Sequence, residues 1–326
     1  MAGAHGACGE IGGSKGAMKP THQIAAVILT HRPDQSILRQ AVASLCPQVD
    51  RILIVDNGSR WDAGALLEVL AEGDREKIEF IWLETNIGVG AGHNRGIRWA
   101  RAREFTRILI LDHDSVPRPD MVRHLVAALD QLDARGIRVA AVGPRYVDRY
   151  TGRVAGFVRF GFWKVRRVFC DPAQTAELVS TDFIISSGAL IPMHVLDQVG
   201  DMNEGFFIDH VDTEWMLRAK ARGYRLFGVC DAMMEHSVGS ATFLLWAGSW
   251  RNTPVHSPER HYYVFRNSIN LYKMPHAPMR WIMNDLVRLV SMAIVLPLVA
   301  SEPWRRIRLM ARGISHGLRG VTGPLQ

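Results

Sequence analysis

The sequence predicts an α/β protein built on a mixed, mostly parallel sheet flanked by helices, and three observations carry that expectation. Short apolar runs alternate with apolar residues at helical spacing through the first third of the chain. The helices between are long enough for right-handed crossovers, and an acid or hydroxyl stands where each run ends. At 326 residues and 48% hydrophobic content the chain can bury a large core in one enlarged domain or two, which excludes disorder for most of it.

Residues 24–29 form the first apolar run, closing on Thr30-His31-Arg32-Pro33, and 37–45 follows at helical spacing. The pattern recurs as strand 51–55 closing on Asp56-Asn57-Gly58-Ser59, helix 62–70, strand 78–83, helix 91–103 and strand 107–111. Parallel sheets of this kind hold ligands at the carboxyl ends of their strands. Thr30, Asp56, Asn86 and Asp112 all fall there. The second half is less regular. A strand is expected over 139–143, antiparallel strands or a mobile flap over 154–169, and a further strand over 181–191. A helix over 216–222 stops at Gly223, a strand over 224–229 leads to Met234-Glu235-His236, and helices are expected over 260–273 and 279–300.

Residues 1–22 lack the apolar core of a secretory signal and are expected to form a disordered leader, with Met18 an alternative start. The net charge of +7 is concentrated at the other end, where residues 280–326 hold seven arginines against Asp285 and Glu302, a local excess of five. That distribution argues against nucleic acid as a partner and for a helical, basic tail, 261–326, meeting anionic lipid. Within it, the uncharged stretch 289–300 spans about 18 Å as a helix, against a hydrocarbon core of about 30 Å. It is expected to lie in the interface, with Arg305, Arg306, Arg308 and Arg312 at the headgroups and Trp281 and Trp304 bracketing it. A core-packing helix with a solvated basic end is the alternative. Cys8, Cys46, Cys170 and Cys230 form no CxxC pair and no dense framework, which points to a reducing cytosol rather than a disulfide scaffold and implies no zinc site.

Four constellations carry chemistry. Asp112-His113-Asp114 follows a buried run and precedes Ser115, Pro117 and Pro119, so both carboxylates can turn toward one divalent cation holding a diphosphate. Two acids spaced by one residue also serve as ordinary caps. Asp56 suits either a turn or a carboxylate accepting from a pyrimidine imide N–H, with Thr30 beside it. The glycine-rich stretch Asn86 to Gly96 is not a dinucleotide fingerprint, because His93 stands where the third glycine belongs. Asp209, Asp212 and Glu214 precede a helix beside Phe206, Phe207 and Trp215, where partial burial would raise a carboxylate's proton affinity toward that of a general base. His236 is either a structural histidine or a nitrogen ligand completing the cation's sphere.

Taken in order, Val27-Ile28-Leu29-Thr30, Val55-Asp56-Asn57-Gly58-Ser59, Asn86-Ile87-Gly88 with Asn94, Asp112-His113-Asp114-Ser115, Ser187-Gly188-Ala189, Phe206-Phe207-Ile208-Asp209, Asp212-Thr213-Glu214-Trp215 and Glu235-His236 resemble the inverting family 2 glycosyltransferases of GT-A fold. The likeness runs over 24–273 and is nearest the bacterial rhamnosyltransferase-like branch. The resemblance implies a nucleotide-sugar-binding half, 23–115, merged with an acceptor half, 116–260. It further implies Mn²⁺ or Mg²⁺ held by Asp112, Asp114 and His236, Asp212 as catalytic base, and donor contacts from Thr30, Asp56, Asn86, Asn94, Asp112 and His113. Ser187, Gly188, Asp209, Glu214 and Trp215 are expected near the acceptor. The activity it implies is transfer of a sugar, L-rhamnose from TDP-rhamnose first among candidates, to a lipid-linked or polysaccharide acceptor. The expected location is the cytoplasm, peripheral on the inner face of the cytoplasmic membrane. A UDP-sugar donor, a nucleotidyltransferase and a non-catalytic binding module are the rivals.

Overall fold

A computed structural model describes residues 23–325 apart from 69, 150, 162–163, 172, 175, 237–241, 247–249 and 255. The expected leader, 1–22, lies outside the described residues. Strand β1 (Ile24–Thr30) is buried at all seven positions, as a run apolar on both faces must be when helices cover the sheet from both sides. Helix α1 (Gln35–Leu45) begins at Asp34, whose carboxylate caps the amides of Ser36 and Ile37. Then come β2 (Arg51–Asp56), the short helices α2 (Gly64–Glu68) and α3 (Glu72–Arg75), β3 (Ile78–Trp82), α4 (Val89–Ala102) and β4 (Arg107–Asp112). Of the helix expected over 62–70, α2 covers Gly64–Glu68, and α3 follows beyond it, in a stretch where Gly64 and Gly73 weaken helical continuity.

The second half adds β5 (Val116–Pro117), α5 (Met121–Ala134), β6 (Val139–Asp148), the hairpin β7 (Phe157–Phe160) and β8 (Val165–Val168), β9 (Leu178–Thr181), β10 (Ala189–Pro192), α6 (Met193–Val199), α7 (Val211–Ala221) and β11 (Arg225–His236). Strands β12 (Thr242–Trp246) and β13 (Trp250–Pro254) pair with each other in a separate two-stranded sheet. One sheet runs through both halves in the order β3-β2-β1-β4-β10-β6-β11-β5, with β9 added beside β11. The first four strands are parallel, and β10 is antiparallel to both β4 and β6. The strand expected over 181–191 is split, because Ser186-Ser187-Gly188 makes a turn with Gly188 at φ +81° that sends β9 and β10 to different neighbours.

Side chains alternate across this sheet into two apolar layers. Ala25, Val27 and Leu29 pack with Ile97 and Ala100 of α4, while Ala26 and Ile28 meet Leu38 and Val42 of α1 and Leu125 of α5. Cys170 and Cys230, 60 residues apart, form a disulfide that ties the stretch after β8 to β11. This corrects the expectation of unpaired thiols: the partners come from distant elements, so no short motif announces them. Cys46 is free and buried.

Three helices close the chain: α8 (Pro258–Tyr272), α9 (Met279–Val299) and α10 (Pro303–Leu318). Gly313 and Gly317 let α10 lie close on α8, where a Cβ would come within 2.6 Å of Tyr262 O and 2.7 Å of Arg266 O. The uncharged stretch over 289–300 proves to be the later part of one 21-residue helix that is long and apolar enough to cross a membrane by length and composition alone. Its one acid is accommodated within the protein, while Arg280 and Arg288 are exposed. Asp285 is buried, ion-paired with Arg288 at 2.6 Å and hydrogen-bonded by Tyr272 Oη at 2.8 Å. Arg306 is buried as well, donating to Ser301 O at 2.6 Å and His256 O at 2.8 Å, so it does not belong to the outward arginine set expected of it.

Candidate donor and catalytic site

The two-residue strand β5 builds the heart of the site. It pairs antiparallel with the end of β11, Val116 opposite Glu235 and Pro117 opposite Met234, which carries the segment just before β5 to the last residue of β11. Asp112, Asp114 and His236 thereby each bring one ligand-capable atom within 4.8 Å of the others. Asp114 Oδ1 lies 3.3 Å from His236 Nδ1, yet among the described residues it is buried without a hydrogen bond of good geometry. An orphaned, buried carboxylate oxygen facing a second acid and an imidazole is a set that a divalent cation such as Mn²⁺ or Mg²⁺ satisfies. A line of hydrogen bonds braces it: Asp112 N donates to Ser187 Oγ at 3.0 Å, Ser187 Oγ donates to Ser115 Oγ at 2.7 Å, and Ser115 Oγ is 2.7 Å from His236 Nδ1.

Electrostatics agree with this picture. Burial alone would raise the Asp114 carboxyl, but His236 and His113 outweigh it and hold it below its ordinary value. Burial likewise works against charge on His236, and Asp114, Asp112 and Asp148 reverse it, so the imidazole titrates above its usual value. Asp212, in the first turn of α7, behaves oppositely. Burial, with further contributions from Asp112 and Asp209, pushes its carboxyl up to about 6 against the opposing amides of Thr213 and Ser186. That is the proton affinity a general base near neutral pH requires.

The loop before α7 is unusual. Phe207, Asp209 and His210 have φ of +58°, +62° and +63°, each a left-handed conformation that costs about 1–3 kcal/mol unless surroundings impose it. Those surroundings are residues of α8 that sequence reading passed over. Asn267 Nδ2 donates to the carbonyls of Phe206, Ile208 and Asp209 at 2.7, 2.8 and 3.0 Å. Arg260 grips both oxygens of Asp209 at 3.0–3.1 Å, and Asp112 and Asp212 add to the field that holds its charge. Polar residues seven apart in a helix otherwise rich in buried aromatics were the available signal.

Other expected site residues serve the scaffold. Glu214 is buried and bonded to Arg218 at 2.8 and 3.0 Å, and Trp215 is 0% exposed with its indole N–H on Gly200 O. Both side chains are thus engaged within the protein, on the helix that carries Asp212. Ser187 braces the group of Asp112, Asp114 and His236, and Gly188 sits against Pro144 and Met234. Asn94 binds Met202 N, Met202 O and Glu204 Oε1, each at 2.9 Å, which joins α4 to the stretch after α6. Asp56 accepts from the amides of Ser59 and Arg60 at 2.8 Å, from Thr30 Oγ1 at 3.0 Å and from Ser59 Oγ, so its lone pairs hold the loop after β2. Asn86 Oδ1 receives Gly88 N and Asn57 Nδ2, and His113 is half-buried beside Asp114.

Gly88, at φ +91°, joins the two regions. A Cβ there would stand 2.7 Å from Phe207 O, the carbonyl that receives Val89 N. Gly88→Ala is expected to cost about 1–3 kcal/mol through strain and to displace the loop before Asp212. Thermal unfolding and turnover of that variant check the point, and wild-type values in both would reject the contact as a constraint.

Residues 26–200, more than half the chain, match the family described as Glycosyl transferase family 2. Over 306 residues the chain is 29% identical to the dTDP-rhamnosyl transferase RfbF of Shigella flexneri, covering 92% of this chain and 97% of that protein. It is 31% identical over 138 residues to the polyprenol monophosphomannose synthase of Mycolicibacterium smegmatis, 42% of this chain and 50% of that one. Among solved structures, S. aureus TarS 1-349 in complex with UDP-GlcNAc superposes with a TM-score of 0.59 at 15% identity, covering 92% of this chain and 81% of that one. GalNAc-T7 with UDP, GalNAc and Mn²⁺ gives a TM-score of 0.56 at 14% identity, with 85% and 58% covered. The strand order, the matched family and these relatives together make the chain a family 2 glycosyltransferase of GT-A fold, close to a rhamnosyltransferase.

Proposed function

We propose that the chain is an inverting, metal-dependent glycosyltransferase that moves L-rhamnose from TDP-rhamnose to a hydroxyl of a lipid-linked or polysaccharide acceptor in cell-envelope glycan synthesis. The observation that carries this reading is the convergence of Asp112, Asp114 and His236 near a carboxylate, Asp212, whose proton affinity is raised. The similarity to a dTDP-rhamnosyl transferase across nearly the whole chain supports the donor. A UDP-sugar donor is the second reading, supported by neighbours solved with UDP or UDP-GlcNAc. Residues 23–115 are taken as the donor half, 116–260 as the acceptor half, and work at the cytoplasmic face of the membrane suits the basic helical end.

In this mechanism Asp212 accepts the proton of the acceptor hydroxyl as its oxygen attacks the anomeric carbon from the face opposite the diphosphate, so configuration inverts. Asp112, Asp114 and His236 would hold Mn²⁺ or Mg²⁺, which supplies positive charge to the departing diphosphate. Arg260 orients Asp209 and lends further positive charge to the acidic surroundings of Asp212. Ser115 and Ser187 keep His236 and the Asp112 backbone in register.

Two measurements test the reading. In a panel of nucleotide sugars incubated with Mn²⁺, TDP-rhamnose is expected to release nucleotide diphosphate fastest; preference for a UDP-sugar would transfer the proposal to the second donor. The base must be ionised to act, so kcat/KM should fall about tenfold per pH unit below a midpoint at or below about 6. An acid limb centred above pH 7 would point to a different group.

A further inference from the structure

We propose that the outward faces of α9 and α10 dock on an anionic lipid bilayer and that this docking fixes the loop carrying Asp212 through a clamp on His210. On α9, Leu286, Val290, Ile294 and Leu298 recur every four residues with Val287 beside them, and all are exposed, Leu298 at 79%. The opposite side, Trp281, Asp285, Leu289 and Leu296, is buried. On α10, Trp304, Ile307, Ile314 and Leu318 form a second exposed apolar stripe at helical spacing, Trp304 at 78%. Exposed Arg308 and Arg312 flank that stripe on the same helix, while the buried side faces α8 through Gly313 and Gly317.

An apolar stripe bordered by arginines fits the boundary between acyl chains and acidic headgroups, and the local excess of five positive charges over residues 280–326 complements anionic lipid. Scattered exposed apolar residues need no explanation, but two regular stripes on consecutive helices do. The occupant is therefore a lipid surface rather than a second copy of the chain, whose matching face would carry the same positive charge.

The clamp links this face to chemistry. His210 is the left-handed residue before α7, two positions from Asp212. Its Nε2 lies 3.0 Å from Arg288 Nη2 of α9 and 3.0 Å from Ser268 Oγ of α8, and its ring meets Trp281 of α9 edge-on at 5.6 Å. Arg288 is itself held by Asp285. Two residues of α9 thus touch the strained loop directly, while the same helix leaves most of its length unburied. An element with so little buried surface opens at low cost, and a surface that binds its closed position stabilises whatever that position holds.

The coupling rests on the reading of Asp212 as base only for its catalytic consequence, so its test uses no substrate. Hydrogen exchange of the full chain is measured with and without vesicles of phosphatidylglycerol and phosphatidylcholine. The amides of 207–214 are expected to exchange about 5- to 150-fold more slowly with vesicles, the usual span of coupling between two sites. Ile294→Glu should lose both vesicle cosedimentation and this protection, and Arg288→Gln should keep cosedimentation but lose the protection. Cosedimentation of the wild type with unchanged exchange at 207–214 would overturn the clamp. No cosedimentation would overturn the lipid surface, and concentration-dependent self-association in its place would give the stripes to a second copy. Loss of Mn²⁺-dependent TDP binding, measured separately by calorimetry, would count against the donor site and not against this coupling.

Discussion

Asp212→Asn is expected to lower the rate of transfer by roughly 10²- to 10⁴-fold while leaving nucleotide-diphosphate binding near its wild-type level. The substitution keeps the side chain's size and its ability to accept from Thr213 N at 2.7 Å, so the first turn of α7 has no reason to move. What it removes is a basic oxygen whose proton affinity burial and two neighbouring acids have raised to about 6. Because Asp112 contributes to that rise, deleting the negative charge at 212 removes a repulsion from Asp112 rather than adding one. A fall in kcat without a rise in the dissociation constant for TDP is thus the expected signature. Near-normal turnover in Asp212→Asn would remove the residue from the mechanism. Asp209→Asn is a different experiment, because that carboxylate is already committed to Arg260 at 3.0–3.1 Å and its loss frees a guanidinium beside the site.

Much of residues 23–115 was legible because its signals are local. Each of β1, β2 and β4 is a short apolar run buried on both faces, and such runs separated by crossover helices leave few arrangements other than a parallel sheet. Asp112 and Asp114 could be picked out for the same reason, as acids after a buried strand. The pairing that completes their cluster was not legible, since β5 is only two residues long and carries no periodicity to announce it. The start of α7 shows the converse limit. Asp212, Glu214 and Trp215 are neighbours in sequence, yet only a helix whose buried side is known reveals that Glu214 and Trp215 turn into the core. The bonds of Asn94 to Met202 and Glu204 were not legible either, because a buried amide on a glycine-rich helix can face a ligand or a loop with the same residues around it. The Asn267 and Arg260 contacts on 206–209 depend on a helix that begins some fifty residues later in the chain, so no local pattern could supply them. Long-range polar contacts of this kind are where pattern reading ends.

Asp114→Asn should reduce Mn²⁺-dependent binding of TDP to the metal-free level. The carboxylate is buried, held ionised by His236 and His113 against the cost of burial, and one oxygen has no hydrogen-bond partner among the described residues. Such an arrangement is costly unless something positive completes it, and an amide cannot replace the lost charge. Asn also presents an N–H₂ group on one side, which repels a cation and competes for His236 Nδ1. Ser115→Ala supplies the graded comparison. It leaves all three ligand-capable side chains but removes the hydroxyl 2.7 Å from His236 Nδ1, and loss of such an outer partner costs about 10- to 100-fold in metal affinity. Calorimetric titration of Mn²⁺ and TDP, together and separately, reads both variants on one scale. TDP binding that is equally tight with and without Mn²⁺ in the wild type, and unchanged in Asp114→Asn, would mean that the cluster holds no cation during donor binding. Charge on the leaving diphosphate would then fall to Arg260 and other cationic side chains alone.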